Sequence, residues 1–75
     1  MAKCHNTINN MRFKKELIYE HLDRKRITQV RFCLDCCISP FQLRKILEGD
    51  EDMIVACASR LAWGLGVKVI DLFED

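Results

Sequence analysis

Proline and glycine are scarce in this 75-residue chain, at one and three residues. With Leu, Ile, Lys, Arg and Glu abundant, that scarcity reads as an all-helical chain of globular rather than disordered composition. There is no low-complexity segment and no internal repeat. Nowhere does an apolar run approach the length needed to cross a bilayer, and the N-terminus lacks an apolar stretch of signal-peptide type, so a cytoplasmic location is expected. A catalytic set is also missing. His21 has no Ser, Asp or second His placed to work with it, and no enzyme is expected.

Cysteine, by contrast, is plentiful. Five is an odd number, which in a cytosolic chain argues for free thiols over a disulfide framework. At this length the chain sits near the lower limit of what one hydrophobic core can hold together unaided. The net charge of +1 is uninformative, but its distribution is not. Residues 1–48 carry ten Lys/Arg against five Asp/Glu, and residues 49–75 carry two against six. A basic N-terminal part suggests a polyanion on one side; an unevenly charged solvated surface is the plainer reading.

Residues 1–9 show no periodicity and read as a tail, with residues 10–75 forming the domain. Asn9 or Asn10 is expected to cap a first helix from Met11 to Arg24, with Phe13, Leu17, Ile18 and Leu22 as its apolar stripe. Thr28 opens a second helix to Cys36, with Phe32, Cys33 and Cys36 inward. Ser39-Pro40 opens a third, with Ser as cap and Pro at the first helical position, ending at Gly49. Its inner face is Leu43, Ile46 and Leu47. After acidic residues that suit a helix start, a fourth helix is expected over Met53–Trp63. Ile54, Cys57, Ala58, Leu61 and Ala62 are its buried set, and Gly64 or Gly66 is its stop. "VKVIDLFED" reads as a short fifth helix covering the core with Val67, Ile70, Leu72 and Phe73.

Two helices joined by about three residues suggest a helix-turn-helix. Phe32, Cys36, Ile38, Leu43 and Ile46 fill the apolar positions, and Cys33 supplies the small residue where the helices cross. Arg31, Asp35, Gln42, Arg44 and Lys45 face out. From Phe13 to Phe73 the chain resembles the lambda-repressor-like, Xre-type helix-turn-helix regulators of bacteria and phages. "ITQVRFCLDCCIS" is similar to the family's first motif helix, with Thr28-Gln29 in its Thr-Gln position and Phe32-Cys33 in its Leu-Ala position. "SPFQLRKILEG" is similar to the recognition helix and the glycine after it, and "RLAWGLGVKVIDLF" to the closing stretch. Three positions depart from the pattern. Cys37 stands where the turn usually has glycine, Arg26 where a loop glycine is common, and Leu47 where an acidic residue is usual.

The resemblance implies an all-α, five-helix, DNA-binding domain acting as a transcriptional regulator, expected to be a repressor. Helix 39–47 would enter the major groove of double-stranded DNA. Thr28 and Gln29, at the start of the preceding helix, would face a phosphate. Ser39 and Pro40 open the reading helix, and Phe41 and Gln42 would lie nearest the base edges. Gln can pair with adenine and Phe can touch a thymine methyl. Arg44 and Lys45 would reach bases or backbone further along. A homodimer is expected, with Trp63 on the outer side of the fourth helix contributing together with Phe73 and the last helix.

Other readings compete. A helix-turn-helix-shaped protein–protein interaction module, an antirepressor or regulatory partner, would suit the acidic C-terminal third. Cys33-x-x-Cys36 has zinc-ligand spacing and Cys4-His5 could add two ligands, yet the pair falls within a helical period and no second CxxC exists. Adjacent Cys36-Cys37 could make a reactive thiol, but core packing and the turn explain them equally well. No metal, cofactor or small-molecule ligand is expected.

Overall fold

The computed structural model describes residues 12–74; the 1–9 tail and the Asn9/Asn10 cap lie outside them. In order, the elements are β1 (Arg12–Phe13), α1 (Glu16–Lys25), α2 (Gln29–Cys36), α3 (Pro40–Leu47) and α4 (Glu51–Leu65). A 3₁₀ turn (Val69–Leu72) and β2 (Phe73–Glu74) follow. The fold is therefore mostly helical, with four α-helices among the described residues instead of the expected five. None of them is long and apolar enough to cross a membrane.

Local chemistry explains most boundaries. Thr28 Oγ1 accepts a hydrogen bond from the Arg31 N–H at 3.1 Å, and Asp50 Oδ1 one from the Met53 N–H at 3.1 Å. Each satisfies one of the N–H groups a helix start leaves without a partner. α3 opens with a full capping box: Ser39 Oγ accepts from the Gln42 N–H, and Gln42 Oε1 from the Ser39 N–H. Pro40 follows at the first helical position, where its missing N–H costs nothing.

At its C-terminal end every helix is followed by a residue of left-handed backbone: Arg26, Cys37, Gly49 and Gly66. Four such stops and so few glycines leave two of them to side-chain-bearing residues, at φ 56° and 60°. Both stand where the family resemblance expects glycine. At Cys37 the stop is closed by the Cys37 N–H donating to the Leu34 carbonyl and the Ile38 N–H to the Cys33 carbonyl. The Arg60 guanidinium, reaching over from α4, donates to the Cys37 carbonyl at 3.3 Å.

Left-handed backbone costs a non-glycine residue ~1 kcal/mol or more, less what glycine loses through a freer unfolded chain. Cys37 is exposed and buries no side chain to lose. Cys37→Gly is therefore expected to stabilise the domain by about 0.5 kcal/mol, raising the thermal midpoint by ~2–4 °C. A calorimetric comparison with the parent measures it, and an unchanged or lower midpoint would rule out strain at this turn.

The core is the set of inward faces. Ile18, Phe32, Cys33, Cys36, Ile38, Leu43, Ile46, Ile54, Cys57, Ala58, Leu61, Ala62, Leu72 and Phe73 are buried in one cluster. Phe13, Leu17, Leu22, Leu47 and Val67 pack half-buried against it. α4 crosses the other elements, and its entire expected buried set is buried.

Four expectations need correction. α1 begins at Glu16, not Met11, because Arg12 and Phe13 pair antiparallel with Glu74 and Phe73. Phe13 and Phe73 meet edge-to-face at 5.9 Å, and Arg12 Nε donates to Glu74 Oε2 at 2.7 Å. α4 spans Glu51–Leu65 instead of Met53–Trp63, running through Gly64 and stopping at Gly66, one of its two expected stops. The fifth helix is replaced by the 3₁₀ turn and β2; the tighter period buries Leu72 and leaves Ile70 63% exposed. Phe73, itself part of β2, turns its ring into the core and is buried, so it is not on the surface where the expected dimer contact placed it.

Candidate nucleic-acid interface

α2 and α3 are joined by residues 37–39, and the left-handed Cys37 turns the chain sharply enough for both helices to bury their inner faces in one core. What remains outside is the candidate surface. Thr28, Gln29, Ser39, Pro40, Phe41 and Arg44 are exposed, while Gln42 and Lys45 are half-buried.

The structure brings four of these eight together. Gln29 from the start of α2 shares a shallow groove with Pro40, Phe41 and Arg44 of α3. Tyr19 of α1, Leu47 and Glu48 complete its lining. Phe41 is 53% exposed, and two cations lie over its ring: the Arg44 guanidinium carbon at 5.4 Å and Lys45 Nζ at 5.7 Å from the centroid. The negative face of the ring attracts both, so the cations are held at the outer surface of α3 instead of sweeping freely through solvent. Among the described residues, ion pairs form at Arg12 and Arg31, and neither Arg44 nor Lys45 is engaged in one. Their charge is available to a polyanion.

Three expected contacts are qualified by capping. Thr28 Oγ1 and Ser39 Oγ already accept from backbone N–H groups, leaving each hydroxyl hydrogen as a donor. Gln42 is more constrained. Its Oε1 accepts from the Ser39 N–H at 2.9 Å, so it faces the helix start and not outward. Bidentate pairing with adenine needs that oxygen as well as the amide N–H₂, and Gln42 would have to open the capping box to supply it. Sequence reasoning missed Tyr19 and Glu48. Tyr19 was legible as an aromatic on the polar side of α1, whereas the position of Glu48 follows only from how α3 ends.

Of the described cysteines, Cys33, Cys36 and Cys57 belong to the interior. Cys33 and Cys36 lie on the inner face of α2, and burial pushes the Cys33 thiol up. Cys36 is pushed up to about 12, mainly by burial, with the nearby Asp35, Cys33 and Cys37 adding to it. Thiols that hold their protons so firmly are poor nucleophiles and poor metal ligands at neutral pH. Cys37 is the exposed member, at the turn. Among the described residues no cluster of His, Cys, Asp and Glu could hold a metal ion.

Compared with known proteins, the chain matches no protein-family model, and no curated protein and no solved structure is significantly similar to it.

Proposed function

We propose that this domain is a sequence-specific DNA-binding transcriptional regulator of lambda-repressor-like type, a repressor, that docks α3 in the major groove. One observation carries the reading. A helix opened by a complete capping box presents an aromatic ring flanked by two cations free of ion pairs, beside Gln29 at the start of the preceding helix. Helix N-termini attract phosphate, and a rigid exposed helix of this length fits the width of the groove. In this reading Gln29 and the Thr28 hydroxyl hold phosphate, and Phe41, Arg44 and Lys45 face the bases. In this reading the closing 3₁₀ turn takes the place of that family's fifth helix. A symmetric homodimer would set two α3 helices ~34 Å apart on one face of the DNA, and Trp63, 80% exposed on α4, is its proposed contact.

Fluorescence anisotropy of a labelled random duplex across a salt series tests the reading. Binding at low salt is expected, with log K falling linearly against log salt and a slope near −0.9 per phosphate engaged. No binding even at low salt would end the DNA reading.

A second reading is kept alive by the exposed apolar side chains Val30 and Leu34 on α2 and Trp63 on α4. Surfaces of that kind serve protein partners, as an antirepressor or regulatory module would require.

A further inference from the structure

Among the described residues one polar side chain is buried in the core, that of His21, which is 6% exposed. It lies on α1, and its ring leans against the fully buried ring of Phe32 on α2, with centroids 5.6 Å apart and planes at 59°. A groove lined by Lys25, Ile27, Arg31, Asp35, Trp63 and Gly64 connects it to solvent. His21 therefore stands where α1, α2 and α4 meet, with water at hand.

The groups facing it are unevenly charged. From α1 come Arg24, whose Nη2 lies 3.4 Å from His21 Nδ1, and Lys25. From α2 come Arg31 and Asp35, already paired with each other at 3.3 Å. Ile27, Trp63 and Gly64 carry no charge. With a guanidinium N–H pointing at Nδ1, the ring accepts there and keeps its hydrogen on Nε2. A proton added to Nδ1 would turn that contact into two donors face to face.

We infer that His21 is an acid-sensitive latch: neutral, it seals α1 against α2 and α4, and once protonated it repels Arg24, Lys25 and Arg31 and loosens α1 from the core. Desolvation, then Arg24 and Lys25, lower its pKa from the ordinary 6.5, with Asp35 alone pulling the other way. The unfolded chain consequently binds this proton more readily than the folded one. Stability is fully present above the ordinary value, starts to fall as the pH drops through it, and continues falling until the lowered folded value is reached. The folded-to-unfolded ratio drops by at most about tenfold per pH unit in that window. The latch does not depend on the proposed DNA role.

Two measurements on the full chain decide it. In an NMR titration of the imidazoles, His21 is expected to take its proton below the ordinary value. Arg24→Gln/Lys25→Gln should move that titration up and Asp35→Asn should move it down. In urea unfolding between about pH 7.5 and about pH 5.5, the parent should lose more stability than His21→Phe, which keeps a ring against Phe32 but cannot titrate. His21→Gln serves the same comparison if the phenylalanine variant does not fold. Titration of His21 at or above the ordinary value, or parallel stability curves for parent and variant, would overturn the latch.

Discussion

Gly64→Ala is expected to destabilise the domain by about 2 kcal/mol and to lower its thermal midpoint by ~8–16 °C. A β-carbon at this position would lie 2.1 Å from Cys36 Sγ, 3.3 Å from its Cβ and 3.4 Å from its Cα. Cys36 is itself buried, so the sulfur has no open space to swing into. Overpacking of this kind costs ~1–3 kcal/mol, and the overlap here places it at the upper end. Alanine returns up to ~1 kcal/mol by favouring the helix over glycine, which sets the net figure. For a domain of this size, whose total stability is of the order of 5 kcal/mol, that is a large fraction.

The cause can be isolated. Cys36→Ala alone should be destabilising, because it empties buried volume. In the Gly64→Ala background the same change should stabilise, because it removes the sulfur that the new methyl meets. The coupling in this double-mutant cycle, read from urea unfolding of the four proteins, should reach ~1–3 kcal/mol. Rescue stops short of complete because the 3.3 Å approach to Cβ remains. Strictly additive effects would show that α2 and α4 do not approach each other this closely.

Arg44→Ala/Lys45→Ala should abolish most DNA affinity, by about a hundredfold at fixed low salt, while leaving the fold intact. A basic side chain at a base edge or phosphate contributes ~1–3 kcal/mol, and each phosphate no longer neutralised reduces the salt slope by ~1. Both side chains lie against Phe41 outside the core, and neither is held in an ion pair among the described residues. Their removal should move the thermal midpoint by no more than a few degrees, since surface changes of this type stay within ~0.5 kcal/mol. Anisotropy and melting, measured on the same preparation, separate the two effects. Unchanged affinity would remove α3 from the interface and turn attention to the exposed Val30, Leu34 and Trp63 surface.

What was legible in the sequence is what short-range chemistry decides. Thr28 and Ser39-Pro40 announce helix starts because their caps reach only three residues ahead. The buried face of α4 follows from its 3.6-residue period, and the turn at Cys37 from the short gap of about three residues between two helix signals. Two of the errors share one cause, contact between distant parts of the chain. Arg12 and Phe13 become a strand only because Glu74 and Phe73 return beside them, which nothing within a helical window foretells. Gly64 has the look of a helix stop, yet its role is to make room for a sulfur 28 positions earlier in the chain. Ile70, expected to cover the core, is exposed because a 3₁₀ turn, with three residues per turn, rotates the closing segment relative to an α-helix. Gln42 is a different failure. Ser39-x-x-Gln42 is a readable capping box, and the backbone N–H three residues away claims the oxygen that a base edge would need.

The β1–β2 ribbon has a mechanical consequence. Its antiparallel register places Arg12 opposite Glu74, so the outer ends of the two strands lie side by side at the same end of the ladder. A pull applied through the two flanks of the domain would load the ribbon one rung at a time, as a zipper is opened, instead of shearing all its bonds at once. Two rungs and a solvent-exposed Arg12–Glu74 pair offer little resistance to that peeling. Traction from either side should therefore detach the ribbon from the rim of the core before it disturbs α2 and α3, leaving the central helices as the last part of the domain to feel the load.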